Sequence, residues 1–421
     1  MRRIISVLCI VFLVLGTLAG CMADPSTGTE AITTEEPVES TQEQEESTEE
    51  KNTEVDEQLK LSINGIDISS YKIVYAKHLY LKITDKATLG SDYDFNKECA
   101  IKLRDCIKEL TGIELECVQD ISATETDYEI LVGMTNRQLT KELQLAKQTA
   151  YSYRLSLEGS RLVICGAMFG NTWHAIDFLM DDIKAGFAGK TSYDISGEYN
   201  LSGENHLTTI ACVGDSITEG SKATNLNIYS YPATLQRLLW KDCAVYNYGY
   251  GGYRLRKDLG NNYFTTNGWE VLTTETEKFD VVLIMLGTND CGEGGDTNWN
   301  EESSALYKKD MAEFVDTLYE KNKNIAPIVM TCPAYFGSGA RTRNLSKVRE
   351  AQAEIVSELA AKGIKISLYD MYAYTKDVIG GERFPDKIHL NDEGYVMMAQ
   401  GIAEMLKENS DTKLLLESYA E

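Results

Sequence analysis

The stretch GDSITEG, residues 214–220, decides the fold of the C-terminal half because it marks the end of a buried strand. It follows the apolar run LTTIACV at 207–213, and its serine, Ser216, lies at a glycine-flanked strand-to-helix turn. A serine at such a turn is exposed at the sheet edge. The helix that follows directs backbone N–H groups and the positive end of its dipole toward it. The position therefore suits a nucleophile better than a structural serine.

The rest of this half alternates apolar runs with helical patterns. The apolar runs are TTIACVG, CAVYNYG, DVVLIMLG, APIVMTC and KISLYDM, and helical spacing occurs near 229–240, 304–321, 344–362 and 391–407. Continuous apolar strands separated by helices predict a parallel sheet covered on both faces. Because ligands of such sheets bind at the C-terminal ends of the strands, we expect functional residues directly after strands or before the last helix.

Four motifs occupy these positions. GDS, Gly251-Gly252 and GTND (287–290) each follow a strand, and FPDKIHLNDEGY (384–395) opens the final helix. A serine hydroxyl is too weak an acid to attack unaided, so a neighbouring base must take its proton. Among the four histidines, His389 is the one that follows the last strand with a carboxylate, Asp386, three residues earlier. That spacing places Asp386 within reach of the imidazole, whose tautomer it would fix.

The four motifs resemble, in order and spacing, the blocks of the SGNH hydrolases, also called the GDSL esterase family. The resemblance implies an α/β fold with a flavodoxin-like, doubly wound, five-stranded parallel sheet. It implies a serine esterase with the catalytic triad Ser216, Asp386 and His389, an acyl-enzyme on Ser216, and neither a metal nor another cofactor.

The resemblance also implies the groups that hold the oxyanion. They are the backbone N–H groups of Ser216 and Gly252 and the side-chain amide of Asn289. Because Gly251 is adjacent to Gly252, the donor could be either of these two glycines. A missing donor of this kind typically raises the barrier by about 2.7 to 4 kcal/mol.

Structural roles are expected for the other polar side chains near the motifs and for the isolated histidines. Asp215 and Asp290 lie next to predicted catalytic residues and are expected to order their loops by accepting backbone N–H bonds. The same expectation applies to Glu219. His78 and His174 stand apart from any motif and are interpreted as structural.

The first residues predict an export signal. Arg2 and Arg3 precede an apolar run that ends near residue 18, which is too short to span a membrane comfortably. The sequence LAGC that ends at Cys21 resembles a bacterial lipobox. Residues 1–21 are therefore predicted to be a lipoprotein signal peptide, with Cys21 acylated and the protein anchored to the membrane as an extracellular, cell-surface lipoprotein. The alternative is an ordinary secretory signal with a chance cysteine.

Residues 22–58 predict a disordered acidic linker. From residue 24 to residue 58 there are thirteen Asp or Glu and a single Lys, about half of the formal charge of −24. Such a composition buries too little apolar surface to fold. The acidic balance argues against a nucleic-acid partner. None of the ten cysteines forms a C-x-x-C pair, so a zinc site is not expected.

Residues 59–200 predict a smaller α+β domain that precedes the hydrolase domain at 201–421. Helical spacing over 95–112 and near 172–184 alternates with the strand-like runs SYKIVYA, ELECVQD, YEILVGMT, SYRLSLEG and RLVICG. This order of elements resembles the non-catalytic domain that precedes the barrel in β-hexosaminidases and α-glucuronidases. The domain is expected to pack beside its neighbour or to present a surface to a glycan.

An acetylated carbohydrate is the expected substrate. No long apolar lid that could cover an acyl chain is visible, and loop aromatics suit either stacking on sugars or packing of the loops. The alternatives are a lipase or lysophospholipase and a non-catalytic glycan-binding surface lipoprotein. The aromatics concerned are Tyr248, Tyr250, Tyr253, Tyr263, Phe264, Trp269, Trp299, Tyr335 and Phe336.

Overall fold

The computed structural model describes residues 59–77, 94–142, 152–197, 200–204, 207–409 and 412. The predicted signal peptide, Cys21, the acidic linker and His78 lie outside these residues. The described residues all belong to one compact unit, 56–421, so the predicted boundary near residue 200 stays a prediction. Each helix in the described ranges falls short of the length and apolarity that a bilayer crossing requires.

The N-terminal region contains a six-stranded mixed sheet with the order β4-β3-β5-β7-β6-β9 and a small sheet with the order β2-β1-β8. In the larger sheet β3, β4, β5 and β7 run parallel, whereas β6 pairs antiparallel with β7 and β9. The strands are β1 (Lys60–Ile63), β2 (Ile66–Asp67), β3 (Lys72–Tyr75), β4 (Cys117–Gln119), β5 (Glu129–Val132), β6 (Ser152–Glu158), β7 (Arg161–Gly166), β8 (Ser192–Ile195) and β9 (Asn200–Glu204), and the helices are α1 (Phe95–Thr111), α2 (Gln138–Glu142) and α3 (Phe169–Phe187). The α+β prediction for this region is confirmed.

Helix α1 shows why this sequence folds locally as predicted. The Asp94 carboxylate accepts the backbone N–H groups of the first turn, and Gly112, at φ +74°, ends the helix in the left-handed region. Of the apolar face that the spacing predicts, Ala100, Leu103 and Ile107 are buried, and Leu110 packs partly buried against the same core.

The C-terminal half contains a five-stranded sheet, parallel throughout, with the order β11-β10-β12-β13-β14. Numbered within the sheet, this is the 2-1-3-4-5 order of flavodoxin-like folds, and the switch point lies between β10 and β12. The strands are β10 (Thr208–Gly214), β11 (Cys243–Gly249), β12 (Val281–Met285), β13 (Ala326–Met330) and β14 (Ser367–Tyr369). The predicted fold class is confirmed.

Helices cover both faces of this sheet, as the unbroken apolar runs require. In β12, Val282 and Ile284 join a core with α8 and α9, whereas Val281 and Leu283 join a core with α6 and α11. The helices are α4 (Ser216–Glu219), α5 (Leu226–Tyr229), α6 (Tyr231–Leu238), α7 (Asn267–Thr274), α8 (Glu301–Lys321), α9 (Ala340–Ala361), α10 (Met371–Ala373) and α11 (Asp392–Glu408).

The helix expected near 229–240 is α6, Tyr231–Leu238, and a short helix that was not predicted, α5, precedes it. The chain is extended at Ser230, whose hydroxyl accepts the backbone N–H of Ala233 and caps α6. Pro232 lies in the first turn of α6, a position where its missing N–H costs nothing. In α5, Ile228 and Tyr229 are buried, whereas Leu226 is 43% exposed.

Helix α3 of the N-terminal region packs on the segment that follows α6. A side chain at Gly170 would approach the Lys241 carbonyl oxygen within 2.6 Å, so only glycine allows this contact. The His174 ring lies 3.0 Å from the same oxygen through Nε2, and Trp173 meets Trp240 edge-on at 5.4 Å. His174 therefore joins the two halves, which agrees with its structural interpretation.

Candidate active site

Ser216 is the first residue of α4 and directly follows the turn at the C-terminal end of β10. The Asp215 carboxylate caps the helix by accepting the backbone N–H of Ile217 at 2.9 Å. The end of β11 passes so close to α4 that a Cβ at Gly249 would overlap the backbone of Glu219. This close approach brings the loop after β11 alongside Ser216.

The structure brings together the three residues of the predicted triad. The Ser216 Oγ lies 2.8 Å from His389 Nε2, and His389 Nδ1 lies 2.8 Å from Asp386 Oδ2. Both distances are those of well-formed hydrogen bonds. Ser216 and His389 are both half-buried, so the pair is partly accessible to solvent.

The Asp386 carboxylate is held in its charged form. Burial opposes ionisation, but hydrogen bonds from the His389 ring and from the backbone N–H groups of His389 and Ile388 outweigh it, and the pKa of Asp386 is lowered. The backbone bonds are 2.8 Å and 3.1 Å long and reach Oδ1, which leaves Oδ2 for the ring. A fixed anion on this side keeps the proton on Nδ1 and leaves Nε2 free to accept from Ser216.

The loop that carries Asp386 and His389 is supported from the loop after β13. The backbone N–H of Phe336 donates to the Lys387 carbonyl at 3.0 Å, and the Phe336 ring packs against Phe384 at 5.0 Å. Lys387 itself adopts φ +72°, which is uncommon for a residue with a side chain. The backbone strain at Lys387, between Asp386 and His389, is thus offset by the hydrogen bond and the ring contact that Phe336 makes with this loop.

The residues predicted to hold the oxyanion lie on adjacent loops at the same sheet edge. Gly251 is next to Ser216, since a Cβ on Gly251 would lie 3.7 Å from that of Ser216. Gly252 adopts φ +80°, which requires glycine, and a Cβ there would meet no atom within 4 Å. The Asn289 side chain donates to the Tyr253 carbonyl at 3.2 Å, which places its amide beside this loop. The assignment of oxyanion donors stays a prediction.

Two buried carboxylates lie beneath the site and organise its loops. Burial raises the pKa of Asp215 to about 7 and that of Asp290 to about 6, against the lowering effect of backbone N–H groups. Asp290 accepts the backbone N–H groups of Leu255 and Arg256 at 3.0 and 2.8 Å. The expectation that both residues order loops through backbone bonds is confirmed.

A clamp between the nucleophile loop and α11 was not predicted. Asp392 accepts the backbone N–H and the hydroxyl of Thr224 at 2.8 and 2.6 Å, and the buried Tyr395 donates its hydroxyl to the Ser221 carbonyl at 2.8 Å. These bonds fix the distance between the segments that carry Ser216 and His389. Acidic residues are common in the first turn of a helix, where Asp392 lies. The local sequence therefore gave no reason to predict a contact with Thr224.

Most of the loop aromatics considered for sugar stacking pack the loops instead. Tyr263 and Trp299 are fully buried, at 0% and 1% exposure. Several others pack partly buried against the same core, namely Tyr248, Tyr250, Phe264, Trp269 and Tyr335. Packing is therefore the better interpretation for this set.

The arrangement can perform acyl transfer. A hydroxyl bonded to an imidazole, which is bonded in turn to a carboxylate, attacks an ester carbonyl by general-base catalysis. In the described part of the chain, no group of three or more His, Cys, Asp or Glu side chains is placed to hold a metal ion.

Comparisons with known proteins agree with this chemistry. The sequence profile of the GDSL-like Lipase/Acylhydrolase family matches residues 212–397. The chain is 28% identical to an acetylxylan esterase of Xylanibacter ruminicola over 217 residues, which cover 47% of this chain and 43% of that protein. The chain thus spans less than half the length of this curated relative. The C-terminal half contains a serine ester hydrolase domain of the GDSL type.

Similar solved structures include two bacterial hydrolases. A family two carbohydrate esterase from Clostridium thermocellum in complex with cellohexaose shares 19% identity, with 52% of this chain and 69% of that chain covered and a TM-score of 0.38. A lipase/acylhydrolase from Enterococcus faecalis shares 22% identity, with 48% and 96% covered and a TM-score of 0.36.

Proposed function

We propose that this protein, with its GDSL-type serine ester hydrolase domain, is an extracellular esterase that removes acetyl groups from a carbohydrate. The observation that carries the proposal is the pair of 2.8 Å hydrogen bonds that join Ser216, His389 and Asp386. A serine and a histidine from segments 173 residues apart reach bonding distance at the edge where parallel sheets bind ligands.

In the proposed reaction, Ser216 Oγ attacks the acetyl carbonyl while His389 Nε2 accepts its proton. The Asp386 carboxylate stabilises the imidazolium that forms. The N–H groups of Ser216 and Gly252 and the Asn289 amide stabilise the oxyanion. His389 then donates the proton to the departing sugar hydroxyl, which leaves an acetyl-enzyme. A water molecule, activated by His389, releases acetate and restores the serine.

A small acyl group on a carbohydrate is the proposed substrate for two reasons. The curated relative is named for the deacetylation of xylan, and the sequence shows no long apolar lid over the serine that could cover an acyl chain. Most of the loop aromatics pack against the core, and the residue that approaches Ser216 from the loop after β11 is Gly251.

The proposed location follows from the N-terminal sequence. A basic start, an apolar run and the lipobox-like LAGC predict export and acylation at Cys21, followed by an acidic linker. We propose that the lipid and linker hold the folded unit outside the cell. Labelling with a radioactive fatty acid, lost in Cys21→Ser, tests the anchor.

The proposed reaction is tested with the full chain on p-nitrophenyl esters. We expect the acetate to be hydrolysed much faster than the octanoate, and Ser216→Ala to abolish hydrolysis with an unchanged melting temperature. Equal rates for wild type and Ser216→Ala would contradict the proposal and favour a glycan-binding protein. Preference for the octanoate would favour a lipase.

A further inference from the structure

A cavity lies at the contact between the N-terminal region and the hydrolase half, away from the predicted triad. Its volume is about 310 Å³, at the lower end of the range for small-molecule sites. The N-terminal region contributes Phe95 and Phe169. The hydrolase half contributes residues of α5, α6 and the outer strand β11, among them Leu226 and Asn247, and also Trp240 from the segment that follows α6.

One side of the cavity is aromatic. The Phe95 ring stacks on Phe169 at 4.8 Å and meets Trp240 at 5.1 Å, so three rings form a continuous wall. Phe95 and Trp240 are buried at 3% and 5% exposure, whereas Phe169 is half-buried. Leu226, which is 43% exposed, stands at the rim. Phe169, the most exposed of the three rings, is the one that can meet the apolar side of a sugar.

Three side-chain amides line the cavity together with these rings: Asn227, Gln236 and Asn247. The Asn227 amide is exposed and has no hydrogen-bond partner among the residues that the structure describes. The Gln236 side chain donates to the Cys243 carbonyl and accepts the backbone N–H of Val245, both in β11. One N–H and one lone pair of this amide remain for a ligand. Amides that still donate and accept are suited to hydroxyl groups.

The cavity is connected to the active-site serine through polar groups. Asn247 donates to the Glu219 carbonyl at 3.4 Å, and Glu219 lies on α4 one helical turn from Ser216. One turn advances about 5.4 Å along the helix axis, so the cavity lies within reach of a ligand that extends beyond a single sugar. The half-buried Glu219 carboxylate lies beside Ser216, since a Cβ on Gly251 would be 2.7 Å from Glu219 Oε2 and 3.7 Å from the Cβ of Ser216. A half-buried charge disfavours an alkyl chain beside it. The connection favours a hydroxylated chain over an alkyl chain.

We propose that this cavity is a binding site for a sugar unit of the same glycan whose acetyl group reaches Ser216. The inference rests on the proposed function and extends it, because it gives the N-terminal region a part in substrate recognition through Phe95 and Phe169. The site selects for a polymer or oligomer over a small acetate ester, since a small ester does not reach the cavity.

The test compares two substrates of the full chain: acetylated xylo-oligosaccharide and p-nitrophenyl acetate. For each variant we measure the ratio of kcat/KM on the oligosaccharide to kcat/KM on the small ester. Both constants scale with the fraction of active protein, so partial misfolding leaves the ratio unchanged. Phe169→Ala and Asn227→Ala are each expected to lower the ratio about tenfold, which corresponds to about 1.4 kcal/mol.

Matched controls are available in the same chain. Phe178 lies on the same helix as Phe169 and is 42% exposed outside the cavity, and Asn324 is an exposed asparagine beyond the end of α8. Phe178→Ala and Asn324→Ala are expected to keep the ratio within twofold. Unchanged ratios in both cavity variants would overturn the inference. The inference would also be overturned if the cavity variants changed the preference between the octanoate and acetate esters but left the oligosaccharide ratio unchanged.

Failure of the proposed function is separable from failure of this inference. If Ser216→Ala hydrolyses p-nitrophenyl acetate as fast as wild type, the esterase proposal fails. The cavity is then tested by equilibrium dialysis with deacetylated xylo-oligosaccharide. A dissociation constant that Phe169→Ala weakens about tenfold and Phe178→Ala does not would support the site, and equal constants would overturn it.

Discussion

Replacement of Asp386 by asparagine is the sharpest test of the hydrogen-bond relay. The asparagine oxygen can still accept the backbone N–H groups of Ile388 and His389, so the loop keeps its shape. The asparagine NH₂ would take the place of Oδ2, which lies 2.8 Å from His389 Nδ1. A donor in that place requires Nδ1 to accept. The ring proton then moves to Nε2, which faces Ser216 and can no longer take the hydroxyl proton.

The expected loss combines two effects. An anion about 4 Å from an imidazolium contributes about 4 kcal/mol at an effective dielectric constant of 20, and the Asp386 side chain is 32% exposed, so we reduce this to about 2 kcal/mol. The wrong tautomer removes the general base, and the corresponding change in the serine protease template lowers kcat by about 10⁴-fold. We expect kcat to fall by about 10³ to 10⁴-fold, with KM changed by less than about threefold, because the substrate does not contact Asp386.

The assay is steady-state hydrolysis of p-nitrophenyl acetate, with thermal unfolding followed by circular dichroism. Asp67→Asn is the matched control, because Asp67 accepts a backbone N–H two residues on, from Ser69 at 2.9 Å, and lies in the N-terminal region. It should leave kcat within twofold of wild type. A loss smaller than tenfold in Asp386→Asn, with the fold intact, would refute the role given to the carboxylate.

Two further predictions concern the loops around the serine. Asn289→Ala should lower kcat on p-nitrophenyl acetate by about 10² to 10³-fold with a smaller change in KM, because one oxyanion donor is lost; a kcat as high as that of Asn324→Ala would exclude the amide as a donor. Burial raises the pKa of Asp215 to about 7, so its contribution to stability is full below pH 4 and is lost as pH rises through 7. Between pH 5 and pH 7, the free energy of unfolding measured with urea should therefore fall by about 2 kcal/mol more in wild type than in Asp215→Asn. An equal fall in both proteins would show that Asp215 is ionised throughout this range.

The hydrolase fold was predictable because its signals are local. The runs TTIACVG and CAVYNYG coincide with β10 and β11, and each motif falls where a parallel sheet exposes strand ends. Ser216, Asp386 and His389 were identified from motif order and spacing, and the structure brings them together. A long apolar run that ends at a glycine motif fits few assignments other than a buried strand followed by a turn.

What escaped prediction depends on contacts between distant segments. The short strands β1, β2, β8 and β9 carry too little pattern to be predicted, and β1, β8 and β9 pair with partners far along the chain. The loop aromatics gave no sign of packing inward rather than outward. The aromatic wall of the cavity combines Phe95, Phe169 and Trp240, which belong to different predicted domains. No local pattern could place them together.

The buried carboxylate Asp290 explains how the predicted oxyanion donors keep a fixed geometry. It follows Asn289 directly, and it accepts the backbone N–H groups of Leu255 and Arg256, three and four residues after Gly252. Asn289 also donates to Tyr253, the neighbour of Gly252. The loop that carries Gly252 and the loop that carries Asn289 are thus joined by hydrogen bonds to the buried Asp290 carboxyl and to the Tyr253 carbonyl. Donors fixed before the substrate arrives need no reorganisation as the oxyanion forms, which is where electrostatic catalysis gains most.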